Sequence, residues 1–474
     1  MNPAYLLCYS PGFCHVTHTA LEMLQNWSIS PATGLIHARM DDAGNYNPSP
    51  NPFGAAGRDI ALTVKQTEPL YWLCRMILLL RQRNATVPTP VLNGTRRLAA
   101  GLYKIYEASG GDLGFAVNVS SGTMAMGGST GGALGPGAFA LASQVFGEPA
   151  YLAAGVAFGE KLWREWILEM GMTTSAPCDT MQSPDDQSGH ELTQSLTIIY
   201  EVAKNTSFLE MALDAAYVGW APWIMSYDYK LNGVFQQTPW AQANITSMPA
   251  GQPFASPQNR EPTPGRCVGS GVDLFRLWRY TNDDALLDMW LPTLHNQMLY
   301  MGTVARPLPG VCPGCMSERV PIGDGCNGME PGVIYGGSVG WPDISAMLSA
   351  LDNPGVYVLR DTRRIIAADH VEATAVAAPP CASAAATATA AAAASASATH
   401  DDTNNWHYWG AERGGGKRFS KSWGLRLRNP TIYNASVCVF VEDTSDRSKI
   451  LSVNAMDGCK RILLGPGVVH VLPM

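Results

Sequence analysis

The sequence predicts a mainly α fold: a ring of helical hairpins over residues 1–354, followed by an antiparallel β domain over residues 355–474. Two patterns carry this. Apolar residues recur at helical spacing in paired segments divided by short polar breaks, and at Pro354 the pattern changes to short, alternating or β-branched runs bounded by turn residues. Composition sets the scale. Of 474 residues, 46% are hydrophobic and 15% charged, enough apolar material for large cores and too much for a disordered chain.

In chain order, residues 17–27 and 58–83 read as single helices. Residues 91–117, 138–163, 192–220 and 272–299 each read as an apolar helix, a polar break and a second helix. The breaks fall at Gly110-Gly111, Gly147-Glu148-Pro149, Asn205-Thr206 and Asn282-Asp283. Leu192, Leu196, Ile199 and Ala203 recur at helical spacing, as do Leu209, Leu213, Ala216 and Trp220. Asn205 and Asn282 stand where a helix N-cap accepts backbone N–H bonds, and Pro149 suits a first helical turn. With residues 339–351 this makes ten or eleven helices, near the twelve of a closed ring of six hairpins, an (α/α)6-type toroid. The hairpins keep no fixed period, which disfavours a rigid solenoid. Long connections at 226–271 and 305–333 absorb the difference and are where chemistry is expected.

Beyond Pro354, residues 356–358, 364–366, 424–428, 436–441 and 468–472 read as antiparallel strands. Residues 373–399, mostly Ala, Ser and Thr, offer no large apolar face and read as a mobile low-complexity insertion.

A net charge of -7 with scattered Lys and Arg leaves no basic surface for phosphates, so nucleic acid is not an expected partner. The longest apolar run, 69–80, is interrupted by Arg75 and falls short of the roughly 20 residues that span a bilayer. No secretory signal is visible at the start. Asn-x-Ser/Thr acceptors at Asn26, Asn84, Asn93, Asn118, Asn205, Asn244 and Asn434 nevertheless exceed the roughly three expected by chance and favour a secretory route. The 11 cysteines are scattered and odd in number, unlike the framework of a small disulfide-stapled domain.

Particular stretches then narrow the family: GGSTGG at Gly127, QSPDDQS at Gln182, SYDYK at Ser226, SERV at Ser317, PGVYVLRDT at Pro354, ADHVEA at Ala368 and RNPTIYNASVCVFVED at Arg428. Together with the order of hairpins and strands, they resemble the six-hairpin glycosidase superfamily of glycoside hydrolases and polysaccharide lyases, over roughly residues 30–370 and 423–474. The resemblance implies a toroid as catalytic domain, a C-terminal β-sandwich, an oligo- or polysaccharide substrate and no cofactor.

The candidate residues follow from chemistry. Asp185 and Asp186 precede an apolar helix, where a carboxyl is either partly dried into an acid or caps the helix. Tyr227, Asp228, Tyr229 and Lys230 alternate aromatic and charged groups, as a sugar's C–H faces and hydroxyl edges require. Glu318-Arg319 reads as an ion pair or an acid, and Tyr335 and Trp341 as sugar platforms or core. Asp185 as acid, Asp228 as base and Glu318 as a further carboxyl would divide the work of inverting hydrolysis. A lyase would instead abstract a proton from a uronate with Tyr227 or His190, while Asn259 or Arg260 neutralises the carboxylate. A binding protein without chemistry is the third class. Ser129 and Ser338 each lie in a G-x-S-x-G pattern, but neither has the strand before and helix after that a nucleophile elbow needs. Ser129 is instead assigned to substrate binding at a glycine-rich helix N-terminus. Cys312, Cys315 and Cys326 lack a second close pair, so no metal site is expected.

Overall fold

The computed structural model describes residues 28–37, 59–175, 182–224, 271–299, 352–368, 371–377, 423–431, 434–443 and 459–473, with residues 251, 254, 256, 257, 304 and 349. The predicted helix at 17–27, nearly all of that at 339–351 and the insertion beyond Ala377 lie outside these. The chain forms two units, Met1–Ala350 and Leu351–Met474.

The first unit is helical, with a small sheet at its start. Strand β1 (Ile60–Leu62) leads into α1 (Val64–Gln82), and α2 (Thr89–Ala108) follows. Strands β2 (Ala116–Asn118) and β3 (Thr123–Met126) come next and pair antiparallel in the order β1-β2-β3. The predicted hairpin at 91–117 is corrected here: its second half is a turn and a strand. Gly110, Gly111 and Gly114 all take positive φ, and the run after them is too short and too β-branched to form another helix. Its helix α2 returns along α1 instead.

The other hairpins lie where helical spacing puts them. They are α3 (Gly135–Phe146) with α4 (Pro149–Leu162, continued to Met170 by wider turns), α5 (Asp186–Ala203) with α6 (Ser207–Asp214, continued to Trp220), and α7 (Val272–Thr281) with α8 (Asp284–Leu299). Pro149 occupies the first turn of α4. Asn282 does not cap α8. It closes α7 in the left-handed region at φ 58°, which asparagine tolerates, while Asp283 Oδ1 accepts Ala285 N–H at 3.2 Å.

Helices α1, α3, α5 and α7 run parallel and form an inner row. Arg81 at the end of α1 donates to the Val145 carbonyl at the end of α3 at 2.6 Å, and Ser195 of α5 to Ala133 just before α3 at 2.7 Å. Along α5, His190 meets Asp273 while Glu201, three turns on, meets Arg276 and Tyr280 of α7. Each inner helix turns back into an outer partner, so all four inner N-termini share one end. Leu70, Leu98, Phe139, Leu196 and Phe275, all fully buried, fill the space between the rows, each worth about 1.5–3 kcal/mol of burial. Backbones of α5 and the end of the α6 continuation nearly touch: a Cβ on Gly189 would lie 2.1 Å from Gly219 O, so only glycine fits there.

The second unit holds two sheets. One is antiparallel, in the order β10-β7-β6, from β6 (Glu372–Ala377), β7 (Trp423–Arg428) and β10 (Val469–Pro473). The other, β5-β4-β8-β9, contains β4 (Val356–Leu359), β5 (Arg364–Ala367), β8 (Ala435–Glu442) and β9 (Cys459–Leu464). It corrects the expectation of an antiparallel domain, because β4 and β8 pair parallel. The chain between them passes through the other sheet and returns in the same direction, the kind of long crossover that parallel pairing needs. Residues 373–377, taken as the start of the insertion, belong to β6; Ala373 and Ala375 pair with Leu427 and Leu425. Val356, Val358, Leu425, Leu427, Val437, Val439, Ile462 and Leu472 form one apolar cluster drawn from both sheets.

Candidate functional site

At the shared end of the inner helices the loops are tied together. Gln182 Nε2 donates to the carbonyls of Gly127 and Gly128 at 3.0 Å, and Thr130 Oγ1 to the Thr174 carbonyl at 2.7 Å. The GGSTGG and QSPDDQS stretches are thus neighbours. Ser129 is buried, and its Oγ accepts Gly131 N–H at 3.1 Å, folding its own loop.

Asp185 is the N-cap of α5. Its carboxylate accepts Ser188 N–H at 2.8 Å and Ser188 Oγ–H at 3.0 Å, and the residue is fully buried. The one Ser188 hydroxyl proton is nearer the Thr174 carbonyl, at 2.8 Å, so the firm bond to Asp185 is the one its Oδ1 accepts from Ser188 N–H. That bond makes Asp185 the cap of α5, one of the two roles the sequence left open. Asp185→Ala should cost about 1 kcal/mol in urea unfolding. Asp186 is also buried. Asp228, Glu318, Tyr227, Lys230, Asn259, Arg260, Arg319, Tyr335 and Trp341 lie outside the described residues.

The larger surprise is α5 itself. Apolar residues occupy one side, yet Gln187, His190, Glu191, Gln194 and Glu201 are buried too, at helical spacing. They face the other inner helices in two groups.

Towards α1, Gln187 Nε2 donates to Glu191 Oε1 at 2.7 Å and reaches Glu68 Oε1 at 3.4 Å, bridging two carboxyl groups. Glu68 is ion-paired with Lys65 at 3.1 Å, and 15% of its side chain is exposed. Glu191 is wholly buried, and its Oε2 has no hydrogen-bond partner among the described residues. Burial first, then the charge of Glu68, holds the Glu191 carboxyl well above the usual glutamate range. One carboxyl is thus dry and holds its proton to higher pH than usual, and the other stands near the surface beside a lysine.

Towards α7, Asp273 accepts from His190 Nε2 at 3.2 Å, Gln194 Nε2 at 3.0 Å and Arg276 Nη1 at 3.2 Å. Burial would raise the Asp273 carboxyl. The bond from His190 and the charge of Arg276 outweigh it and hold the group below the usual aspartate range. Arg276 continues to Glu201, which also accepts from Tyr280. Trp220 closes over His190 with ring centroids 4.3 Å apart.

Sequence reasoning missed Glu68, Gln187, Glu191 and Asp273. The available signal was the second, polar stripe on α5, which looks like a solvated face until three helices surround it. Among the described residues no group of three or more His, Cys, Asp or Glu is arranged to hold a metal, and no helix is long and apolar enough to cross a membrane.

No protein-family model matches the sequence, and no curated protein matches it. Solved structures do. A D-mannose isomerase is similar at a TM-score of 0.46 and 12% identity, over 72% of this chain and 80% of its own. Cellobiose 2-epimerase from Bacillus thermoamylovorans B4167 gives 0.46 and 12%, over 73% and 82%. An unsaturated glucuronyl hydrolase specific for heparin gives 0.36 and 13%, over 71% and 95%. At these values they transfer no reaction, substrate or catalytic residue to this chain.

Proposed function

We propose that this chain is a carbohydrate-active enzyme that hydrolyses a glycosidic bond, built as an (α/α)6-type toroid with a C-terminal β-sandwich. The observation that carries the chemistry is the pair Glu191 and Glu68, joined by Gln187 in the first two turns of parallel inner helices. Glycoside hydrolysis needs one neutral carboxyl to protonate the leaving oxygen and one carboxylate to activate water or attack the sugar. Glu191 supplies the first and Glu68, ion-paired with Lys65, the second. The substrate is an oligo- or polysaccharide that approaches from the Glu68 side, where the cluster meets the surface. Asp185 serves by fixing the start of α5, and so the position of Gln187 and Glu191.

Incubation with a panel of plant, algal and animal glycans, read by reducing ends and by ultraviolet absorbance, tests this. New reducing ends without absorbance support hydrolysis. Unsaturated, absorbing products would replace it with a lyase, for which His190, oriented by Asp273 and with a buried Nδ1 that has no hydrogen-bond partner among the described residues, is a candidate base beside Tyr227. Activity that survives Glu191→Gln would move the chemistry to Asp228 and Glu318.

A further inference from the structure

Among the described residues, the exposed Asn-x-Ser/Thr acceptors of the helical unit gather at one end of it. Asn84, in the turn from α1 to α2, Asn93, early in α2, and Asn205, in the turn from α5 to α6, are all exposed. Turns from an inner helix to its outer partner lie at the inner C-terminal end, away from the shared N-termini and from Glu68 and Glu191. Asn93 is only four residues into α2, about 6 Å along its axis. The Asn205 amide oxygen is engaged by Ser207 N–H at 3.1 Å and Ser207 Oγ at 3.0 Å, and the amide nitrogen is the atom through which a sugar attaches.

Asn118 contrasts with these. It sits in β2, paired to the strand that leads into the N-terminus of α1, and so at the site end. It is half-buried, with its Oδ1 accepting Ser121 N–H at 2.8 Å. In the second unit Asn434 is exposed just before β8, and Cys438 of β8 is disulfide-bonded to Cys459 of β9. A structural disulfide persists where the surroundings are oxidising, and a bulky glycan is accommodated only on an exposed asparagine. The two observations are independent and point to one compartment.

We propose that the chain is a disulfide-bonded glycoprotein of the secretory route, with N-linked glycans at Asn84, Asn93 and Asn205 on the end away from the carboxyl pair, and at Asn434 in the β unit. In each transfer the asparagine amide nitrogen forms a bond to C1 of a lipid-diphosphate-linked oligosaccharide. The C1–O bond breaks, the lipid diphosphate leaves with the electron pair, and one amide proton goes to a base. The Cys438 and Cys459 thiols lose two protons and two electrons to a disulfide-exchange oxidant, which becomes its dithiol. Exposure and the disulfide are independent of the assigned chemistry; only the benefit of the arrangement, a mouth kept clear of glycan, rests on it.

Peptide mapping of the full chain from the cells that make it tests this, with N-glycans released enzymatically in heavy-oxygen water so that each glycosylated Asn becomes a labelled Asp. Label is expected at Asn84, Asn93, Asn205 and Asn434 and not at Asn118, with a Cys438–Cys459 peptide pair that separates only on reduction. Unlabelled asparagine at all four positions, or free thiols at Cys438 and Cys459, overturns the proposal. Label at Asn118 overturns the placement of glycans on one end. The readout involves no catalysis, so failure of the hydrolase reading leaves it intact.

Discussion

Glu191→Gln should lower turnover on a cleaved glycan by at least ~100-fold and at the same time raise stability at neutral pH. Glutamine keeps the shape and the bond to Gln187 but has no proton to give a leaving oxygen. Stability moves the other way because Glu191 titrates higher in the folded state than in the unfolded chain. Above the ordinary glutamate range the unfolded chain releases this proton while the folded one holds it. The group therefore adds most to stability below that range and loses the contribution as pH rises through its folded value. Glutamine removes this dependence. Urea unfolding of the two proteins should coincide in acid and diverge in favour of Glu191→Gln towards neutral pH. An active variant would end the acid assignment, and a variant less stable at neutral pH would contradict the dry, neutral carboxyl. Glu68→Gln should be equally inactive.

Asp273→Ala should destabilise the helical unit by about 3–5 kcal/mol, the range for removing one partner of a buried charged network. Three donors lose their acceptor: His190 Nε2, Gln194 Nε2 and the Arg276 guanidinium, which keeps its pair with Glu201. Wild-type Asp273 titrates below its unfolded value, so its contribution is present above the ordinary aspartate range and is lost as pH falls through the folded value. The variant should lack that acidic limb in unfolding curves. Glu372→Ala, which breaks an exposed pair with Arg428, is the control and should stay within about 1 kcal/mol. An Asp273→Ala loss no larger than the control's would show that the network does not hold α5 to α7.

Much of the scaffold was legible because helical spacing is a local property. The hairpins at 138–163 and 192–220 announce themselves through apolar residues that must share one face, and Pro149 through the free N–H positions of a first turn. Residues 113–118 misled because two glycines between apolar runs look alike whether a helix or a strand follows. Strand β9 was missed because Lys460 and Arg461 break its apolar alternation, and the parallel partner of β4 is set by a crossover over seventy residues away in the chain.

The sequence by itself determined the helical hairpins, the change to strands after Pro354 and Asp185 as either a cap or a site. Those depend on spacing and on which backbone groups a neighbour can satisfy. Only the tertiary structure decided which polar residues are chemically unusual. Glu191 has the same side chain wherever it stands; its carboxyl is pushed up because α1 and α5 bury it beside Glu68, and that of Asp273 is held down because His190, Gln194 and Arg276 converge on it. Desolvation and charge coupling arise between groups distant in sequence, so they exist only once the inner helices have packed.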